Sequence, residues 1–185
     1  MTKILFVNAC ARENSRTLEL AECVLSRLSG ERENINLYDL ELLPLDANGI
    51  KARDYASSNN DFSSVDFCFA KQFANADTIV IAAPYWDLMF PAVVKNYLES
   101  VTVNGLTFAY GENGVPKGLC KAKSLIYVTT SGGPIFHNFG FEYVSALAKS
   151  FYGIDDVKCI SAQGLDIHGA DVNSILNNAK NSINI

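Results

Sequence analysis

Thr78-Ile79-Val80-Ile81-Ala82-Ala83-Pro84-Tyr85-Trp86-Asp87-Leu88-Met89-Phe90-Pro91 is the stretch on which the fold turns. Its first six residues are the most continuous apolar run in the chain. Such runs suit parallel strands covered on both faces, because alternation is expected only where one face meets water. Pro91 then begins a helix, since its missing amide hydrogen does no harm in a first turn. Val93, Val94, Tyr97, Leu98 and Val101 lie on the inward side of that helix.

The same strand-then-helix unit recurs on both sides. Lys3-Ile4-Leu5-Phe6-Val7 is a short β-rich run, followed at helical spacing by Leu18, Ala21, Val24, Leu25 and Leu28, with Gly30 as the stop. Ile35-Asn36-Leu37-Tyr38 reads as the second strand, and after a polar stretch Phe62, Val65, Phe69, Phe73 and Ala76 mark a helix. Leu125-Ile126-Tyr127-Val128 is a fourth strand, followed by a helix carrying Val144, Leu147, Ala148 and Phe151. Val157-Lys158-Cys159-Ile160 is a fifth, followed by a helix carrying Val172, Ile175, Leu176, Ala179 and Ile183.

Five such units predict an α/β fold with right-handed crossovers. The expected form is a flavodoxin-like three-layer sandwich around a five-stranded parallel sheet in order 2-1-3-4-5. The 185 residues form a single domain, 1–185, with no internal repeat or linker.

Composition removes several classes of function. Fifteen Lys and Arg against twenty Asp and Glu give a net charge of −5, which offers nothing to phosphate backbones or anionic lipid surfaces. Neither a signal-peptide h-region nor a membrane-length apolar span is present, so the expectation is a cytoplasmic protein without nucleic-acid or membrane partners. The five cysteines form no CxxC and are an odd total, which suits reduced packing residues. His137 and His168 lie in separate segments, so no metal is expected.

In sheets of this kind ligands bind beyond the carboxyl ends of the strands. The loops after strands 1, 3 and 4 are therefore the candidate site. The first, Asn8 to Thr17, leads into a helix whose opening turn has free amide hydrogens and the positive end of the dipole. Ser15 and Thr17 add hydroxyls, and Arg12 or Arg16 adds charge, a combination that binds a phosphate monoester. Ser15 acting only as a helix cap, and Arg16 as a solvated helix residue, account for the same residues. No GxGxxG follows strand 1 and no GxxxxGK[ST] occurs, which points to a mononucleotide.

The second loop, Ala83 to Pro91, holds Tyr85 and the sole tryptophan, Trp86. A planar ring lying against Pro84, Tyr85, Trp86, Asp87 and Leu88 would explain that placement, with Asp87 and backbone amides at its edge. Aromatic cover for the sheet end or for a subunit interface is the competing explanation. The third loop, Thr129-Thr130-Ser131-Gly132-Gly133-Pro134, permits close approach of a ligand through its paired glycines. By itself it reads as a turn.

Beyond these loops the chain resembles the flavodoxin-fold NAD(P)H-dependent FMN oxidoreductases, in their azoreductase and quinone-reductase branch. The resemblance rests on Ser15-Arg16-Thr17, on Ala83-Pro84-Tyr85-Trp86-Asp87 with Pro91 and Lys95-Asn96-Tyr97, and on Gly105 to Gly114. It continues through Thr130-Ser131-Gly132-Gly133, Phe151-Tyr152-Gly153-Ile154, Asp156-Val157-Lys158 and Ala162-Gln163-Gly164-Leu165.

The resemblance implies FMN, with its phosphate on Ser15 and Thr17, its ring along Pro84 to Leu88, and Ser131, Gly132 and Gly133 at the far edge. It implies NADH or NADPH as donor, quinone, azo or nitroaromatic compounds as acceptors, and ping-pong two-electron transfer. In such a reaction the flavin carries the hydride and no catalytic side chain is needed. Phe108, Tyr110 and Phe151 match positions near the substrate mouth, and a homodimer completes the site across its interface. Asp87 stands where these proteins commonly have asparagine and Ser131 where they often have arginine; a carboxylate near the ring would lower the flavin potential. A flavodoxin-like electron carrier that turns over no small substrate is the alternative.

Overall fold

The protein is described over Met1–Ile185 by a computed structural model. Lys3–Asn8 forms β1 and Thr78–Ala82 forms β3; they pair in parallel with Asn8 beside Ala82. On the far side of β1 lies β2, Glu31–Asn36, and beyond β3 lie β6, Ser124–Thr130, and β7, Asp156–Ala162. The sheet order is β2-β1-β3-β6-β7, all pairs parallel, which is the expected 2-1-3-4-5 arrangement.

The apolar runs are buried on both faces, as their lack of alternation requires: Ile79 to Ala83 and Leu125 to Val128 are all within 2% of full burial. Helices α1 (Arg16–Leu25) and α6 (Val172–Asn181) cover one face, packed on Ile4, Phe6, Val80, Ala82, Ile126 and Val128. Helices α3 (Cys68–Asn75), α4 (Ala92–Val101) and α5 (Phe139–Leu147) cover the other, on Leu5, Val7, Ile79, Ile81, Leu125 and Tyr127. No helix is long and apolar enough to cross a membrane.

Several elements differ from their sequence-based expectations. The second strand is the earlier segment Glu31–Asn36, while Leu37–Asp39 is a 3₁₀ turn capped by Asn36. As the edge strand it needs no apolar run, and its charged Glu31, Arg32 and Glu33 discourage further strand pairing. The polar stretch before Phe62 holds a thirteen-residue helix, α2 (Ala47–Asn59), capped by Asp46 and ended by Asn60 in the left-handed region. Only Ala56 of α2 is buried, so it carries no helical stripe of apolar residues.

Phe62 and Val65 precede α3 rather than belong to it. Helix α1 stops at Leu25, short of Leu28 and Gly30, and Pro91 is the residue before α4 rather than its first. Between α4 and β6 a small hairpin, β4 (Phe108–Tyr110) with β5 (Pro116–Gly118), interrupts the alternation. Helix α5 runs on into a π turn, Ala148–Tyr152, that ends at Gly153 with φ 75°.

One buried group on α4 has no partner. Tyr97 is fully buried, its ring packed against Phe69 and Phe73, and its hydroxyl makes no hydrogen bond, while burial pushes its pKa well up. An enclosed hydroxyl without a partner costs about 1–3 kcal/mol of desolvation. Tyr97→Phe is therefore expected to leave stability unchanged or raise it by about 1 kcal/mol. A lower urea midpoint in the variant would refute this.

Candidate functional site

Parallel register brings the carboxyl ends of the strands to one edge: Asn8 beside Ala82, Ala82 beside Val128, and Thr130 beside Ala162. The three candidate loops therefore meet. They surround a cavity of about 230 Å³ lined by Arg12, Ser15, Arg16, Thr17, Pro84, Tyr85, Trp86, Thr130, Ser131 and Gly132. Those ten were all expected from sequence. Ala11, Asn14, Leu165 and Asp166 complete the lining.

In the first loop Ser15 is a helix cap whose side chain also lines the cavity. Its Oγ accepts from the Leu18 amide at 3.3 Å, which makes it the cap of α1, and it also faces the cavity. A hydroxyl that accepts in this way still has its own proton to donate. The amides of Arg16 and Thr17, ahead of the capped Leu18, have no acceptor within the helix.

The Thr17 hydroxyl lies 2.6 Å from that of Thr130, both enclosed in the protein. One such bond uses one of two hydroxyl protons and leaves the other for a ligand. Arg12 is exposed and makes no ion pair, whereas Arg16 is held by the Leu165 carbonyl at 3.0 Å and by Asp166 at 2.7 Å. Arg12 is thus the uncommitted cation of the site.

The second loop is a tight reversal. Trp86 and Met89 exchange backbone hydrogen bonds at 2.9 and 2.8 Å around Asp87 and Leu88, whose φ values are 50° and 68°. Two successive positive φ angles make this a type I′ turn. Asp tolerates the left-handed region, so the turn gives Asp87 a backbone reason as well as a possible ligand role. Leu88 has no such tolerance and costs roughly 1–2 kcal/mol there. Strain of this kind persists where the surroundings impose it, and it clusters at ligand sites. The turn leaves Trp86, Asp87 and Leu88 exposed beside the cavity, with Trp86 43% and Leu88 45% accessible.

Two further segments adjoin these loops. The segment Gln163 to Asp166 runs alongside the third loop: Gly164, Leu165 and Asp166 donate to the carbonyls of Gly133, Ser131 and Gly132 at 3.1, 3.2 and 2.9 Å. A Cβ on Gly132 would lie 2.3 Å from the Asp166 carboxylate, so a larger residue there would push that side chain aside. Gly133 does not line the cavity, and nothing lies within 4 Å of a Cβ placed on it. The second is Phe136 to Phe139. It is tied to the turn by Tyr85 Oη donating to the His137 carbonyl at 2.8 Å and the Phe139 amide donating to the Leu88 carbonyl at 3.1 Å. Phe136, Phe139, Trp86 and Leu88 are all exposed, and Phe139 lies against Leu88 through that hydrogen bond.

Asp87, Leu88, Phe108, Tyr110 and Phe151 do not line this cavity. Phe108 is buried between Tyr110 and Phe151, at ring distances of 5.2 and 4.9 Å, while Tyr110 stays 57% exposed. Burial pushes the thiol pKa of Cys10 up against an opposing Ser15 hydrogen bond, and raises those of Cys159 and Cys120 to about 11 and about 12. These thiols stay protonated at neutral pH, as packing residues do.

Known proteins share both the pattern and the shape. The family described by its flavodoxin-like fold matches residues 2–184. An FMN-dependent NADH:quinone oxidoreductase of Coprothermobacter proteolyticus is 35% identical over 97% of this chain and 94% of its own. A second FMN-dependent NADH:quinone oxidoreductase, from Clostridium acetobutylicum, is 32% identical over 96% and 94%. The crystal structure of an azoreductase from Bacillus anthracis superposes with a TM-score of 0.83 over 98% of this chain and 96% of that one, at 23% identity. The chain belongs to the flavodoxin-like fold family, among relatives that are FMN-dependent NADH:quinone oxidoreductases.

Proposed function

We propose that the protein is an FMN-dependent NAD(P)H:quinone oxidoreductase. What supports this reading is a cavity at the carboxyl edge of the sheet, where the N-terminus of α1, hydroxyls and Arg12 adjoin exposed aromatic surface. The residues fit the mononucleotide: the Arg16 and Thr17 amides, the Ser15 hydroxyl proton and Arg12 suit its phosphate. The spare proton of the Thr17–Thr130 pair suits an oxygen of the ribityl chain. Pro84, Tyr85 and Trp86 offer a flat wall to the ring, and the Asp87–Leu88 turn holds backbone groups at its edge.

Bound FMN would supply the redox chemistry of this reaction, a two-electron exchange between NADH or NADPH and a quinone, azo or nitroaromatic acceptor. The chain's own part is to hold the phosphate end rigidly, orient the ring and keep one face of it open. Donor and acceptor then use that face in turn. A second copy of the chain completes the site, covering the exposed Trp86, Leu88, Phe136 and Phe139 and bringing Phe108, Tyr110 and Phe151 to the acceptor's side. Exposed apolar side chains of this kind mark an interface.

The test is the visible spectrum of the purified protein with added FMN, followed by anaerobic titration with NADH and with NADPH. The expected result is tight, yellow, protein-bound flavin that bleaches on mixing with one or both donors and recovers on adding a quinone. Bound flavin that neither donor bleaches would make the protein an electron carrier, and failure to take up FMN would overturn the reading altogether.

A further inference from the structure

We propose that Asp166 sets which flavin nucleotide the cavity accepts, admitting a monophosphate and rejecting a diphosphate. This rests on the cavity holding the phosphate end of FMN.

Asp166 is an unusual lining residue for an anion site. Its carboxylate is held by Arg16, whose Nη2 donates to Oδ1 at 2.7 Å, and Oδ2 faces the open space over Gly132 that a Cβ there would fill. Its own amide is held by the Gly132 carbonyl at 2.9 Å, and Arg16 is fixed further by the Leu165 carbonyl at 3.0 Å. The side chain is 65% exposed, whereas Thr17, Thr130 and Ser131 beneath it are buried. Asp166 therefore stands at the mouth of the cavity and the neutral donors form its floor.

The charges lining the cavity are Arg12, Arg16 and Asp166, a net of one positive charge. A monoester phosphate, carrying about −1.5 to −2 at neutral pH, meets the amides, hydroxyl protons and helix dipole at the floor. The Arg16 charge that would draw a second phosphoryl group to the mouth is already paired. A pyrophosphate ester such as FAD has its inner phosphoryl group at the same floor, so its outer one must leave past a fixed carboxylate. At this exposed mouth Asp166 cancels the attraction Arg16 would otherwise exert on the outer phosphoryl group and repels it modestly, and added salt screens both effects. Asp166 caps no helix and is not part of a strand, the neighbouring α6 being capped by Asp171. A purely structural clasp between α1 and the third loop would need the Arg16 bond without any discrimination between nucleotides.

The test measures dissociation constants of apoprotein for riboflavin, FMN and FAD by flavin fluorescence, in wild type, Asp166→Asn and Asp166→Glu, with thermal melts as the folding control. In wild type FMN is expected to bind at least about 100-fold more tightly than either riboflavin or FAD. In Asp166→Asn the FAD affinity rises about tenfold or more, FMN gains only a few-fold, and riboflavin does not change. Asp166→Glu keeps the wild-type preference, and raising salt narrows the wild-type FMN-to-FAD ratio.

An FMN-to-FAD ratio that stays within about twofold in a folded Asp166→Asn protein, or that ignores salt in wild type, overturns the proposal while leaving the site intact. Equal binding of FMN and riboflavin by wild type would instead remove the phosphate site itself. Should Asp166→Asn fail to fold, the salt series on wild type and the Asp166→Glu ratio decide.

Discussion

Gly118→Ala is expected to destabilise the protein by about 3 kcal/mol or more, the upper range for forcing an extra methyl into a packed region. Gly118 lies in β5 opposite Phe108, and a Cβ on it would come within 2.2 Å of both Tyr152 C and Gly153 N, and 2.3 Å of Tyr152 O. All three are backbone atoms, so no rotamer change clears them. The π turn cannot retreat either. Tyr152 is 1% exposed, packs on Phe73 at a ring distance of 4.8 Å and shares a hydrogen bond with Thr102 at 2.6 Å.

The element that gives way is the hairpin, whose two three-residue strands are too short to hold themselves. Its release exposes Phe108, worth about 2 kcal/mol of apolar burial. For a domain of this size such a loss lowers Tm by about 6–12 °C. Far-UV circular dichroism should barely change, because the main sheet is untouched. Gly153→Ala, which meets Gly118 Cα at 3.3 Å and pays only for its φ of 75°, should be the milder variant by roughly 1–2 kcal/mol. A Gly118→Ala protein within about 1 kcal/mol of wild type by urea unfolding would refute the argument. Because Phe108 contacts Phe151, the same variant should also weaken turnover of bulky acceptors if these rings reach a partner's site.

The hairpin and the π turn also show where the sequence is silent. Strands buried on both faces, β1, β3 and β6, announce themselves through runs such as Thr78 to Ala83, and with helices between the strands the right-handed crossovers point to the sheet order. The edge strand β2 is displaced in the sequence reading because its charged start carries no apolar run, and α2 escapes because a helix held by caps and a single buried alanine has no apolar stripe to display. The hairpin is short, and its pairing depends on a glycine-to-glycine contact 35 residues apart in sequence, from Gly118 to Gly153.

At the site, loop position and residue type revealed the donors, since a helix N-terminus with hydroxyls is a local signal. The Arg16–Asp166 pair is not local. It joins residues 150 apart, and nothing near either one marks it in advance. The aspartate in the QGLD stretch, directly after Leu165, was the missed lining residue, and only the closing of β7 against β6 brings it over Gly132.

Ser15→Asp should separate helix capping from phosphate binding, the two explanations that sequence leaves side by side. Asp caps a helix as well as Ser does. Its charge also suits the positive end of the α1 dipole, by about 0.3–1 kcal/mol. The carboxylate can accept from the Leu18 amide as Ser15 Oγ does at 3.3 Å, so the apoprotein is expected to melt at the wild-type temperature or slightly above it. At the ligand the same change does the opposite. A negative charge replaces a proton donor in the wall of the cavity, within a few ångströms of where a phosphate dianion would sit. At an effective dielectric near 20 that repulsion amounts to several kcal/mol, and even after screening FMN affinity should fall by at least about 100-fold. Riboflavin, which lacks the phosphate, should bind the variant as it binds wild type. If Ser15 only caps the helix, FMN binding will survive the substitution along with the fold, and the phosphate would have to be held elsewhere along the sheet edge.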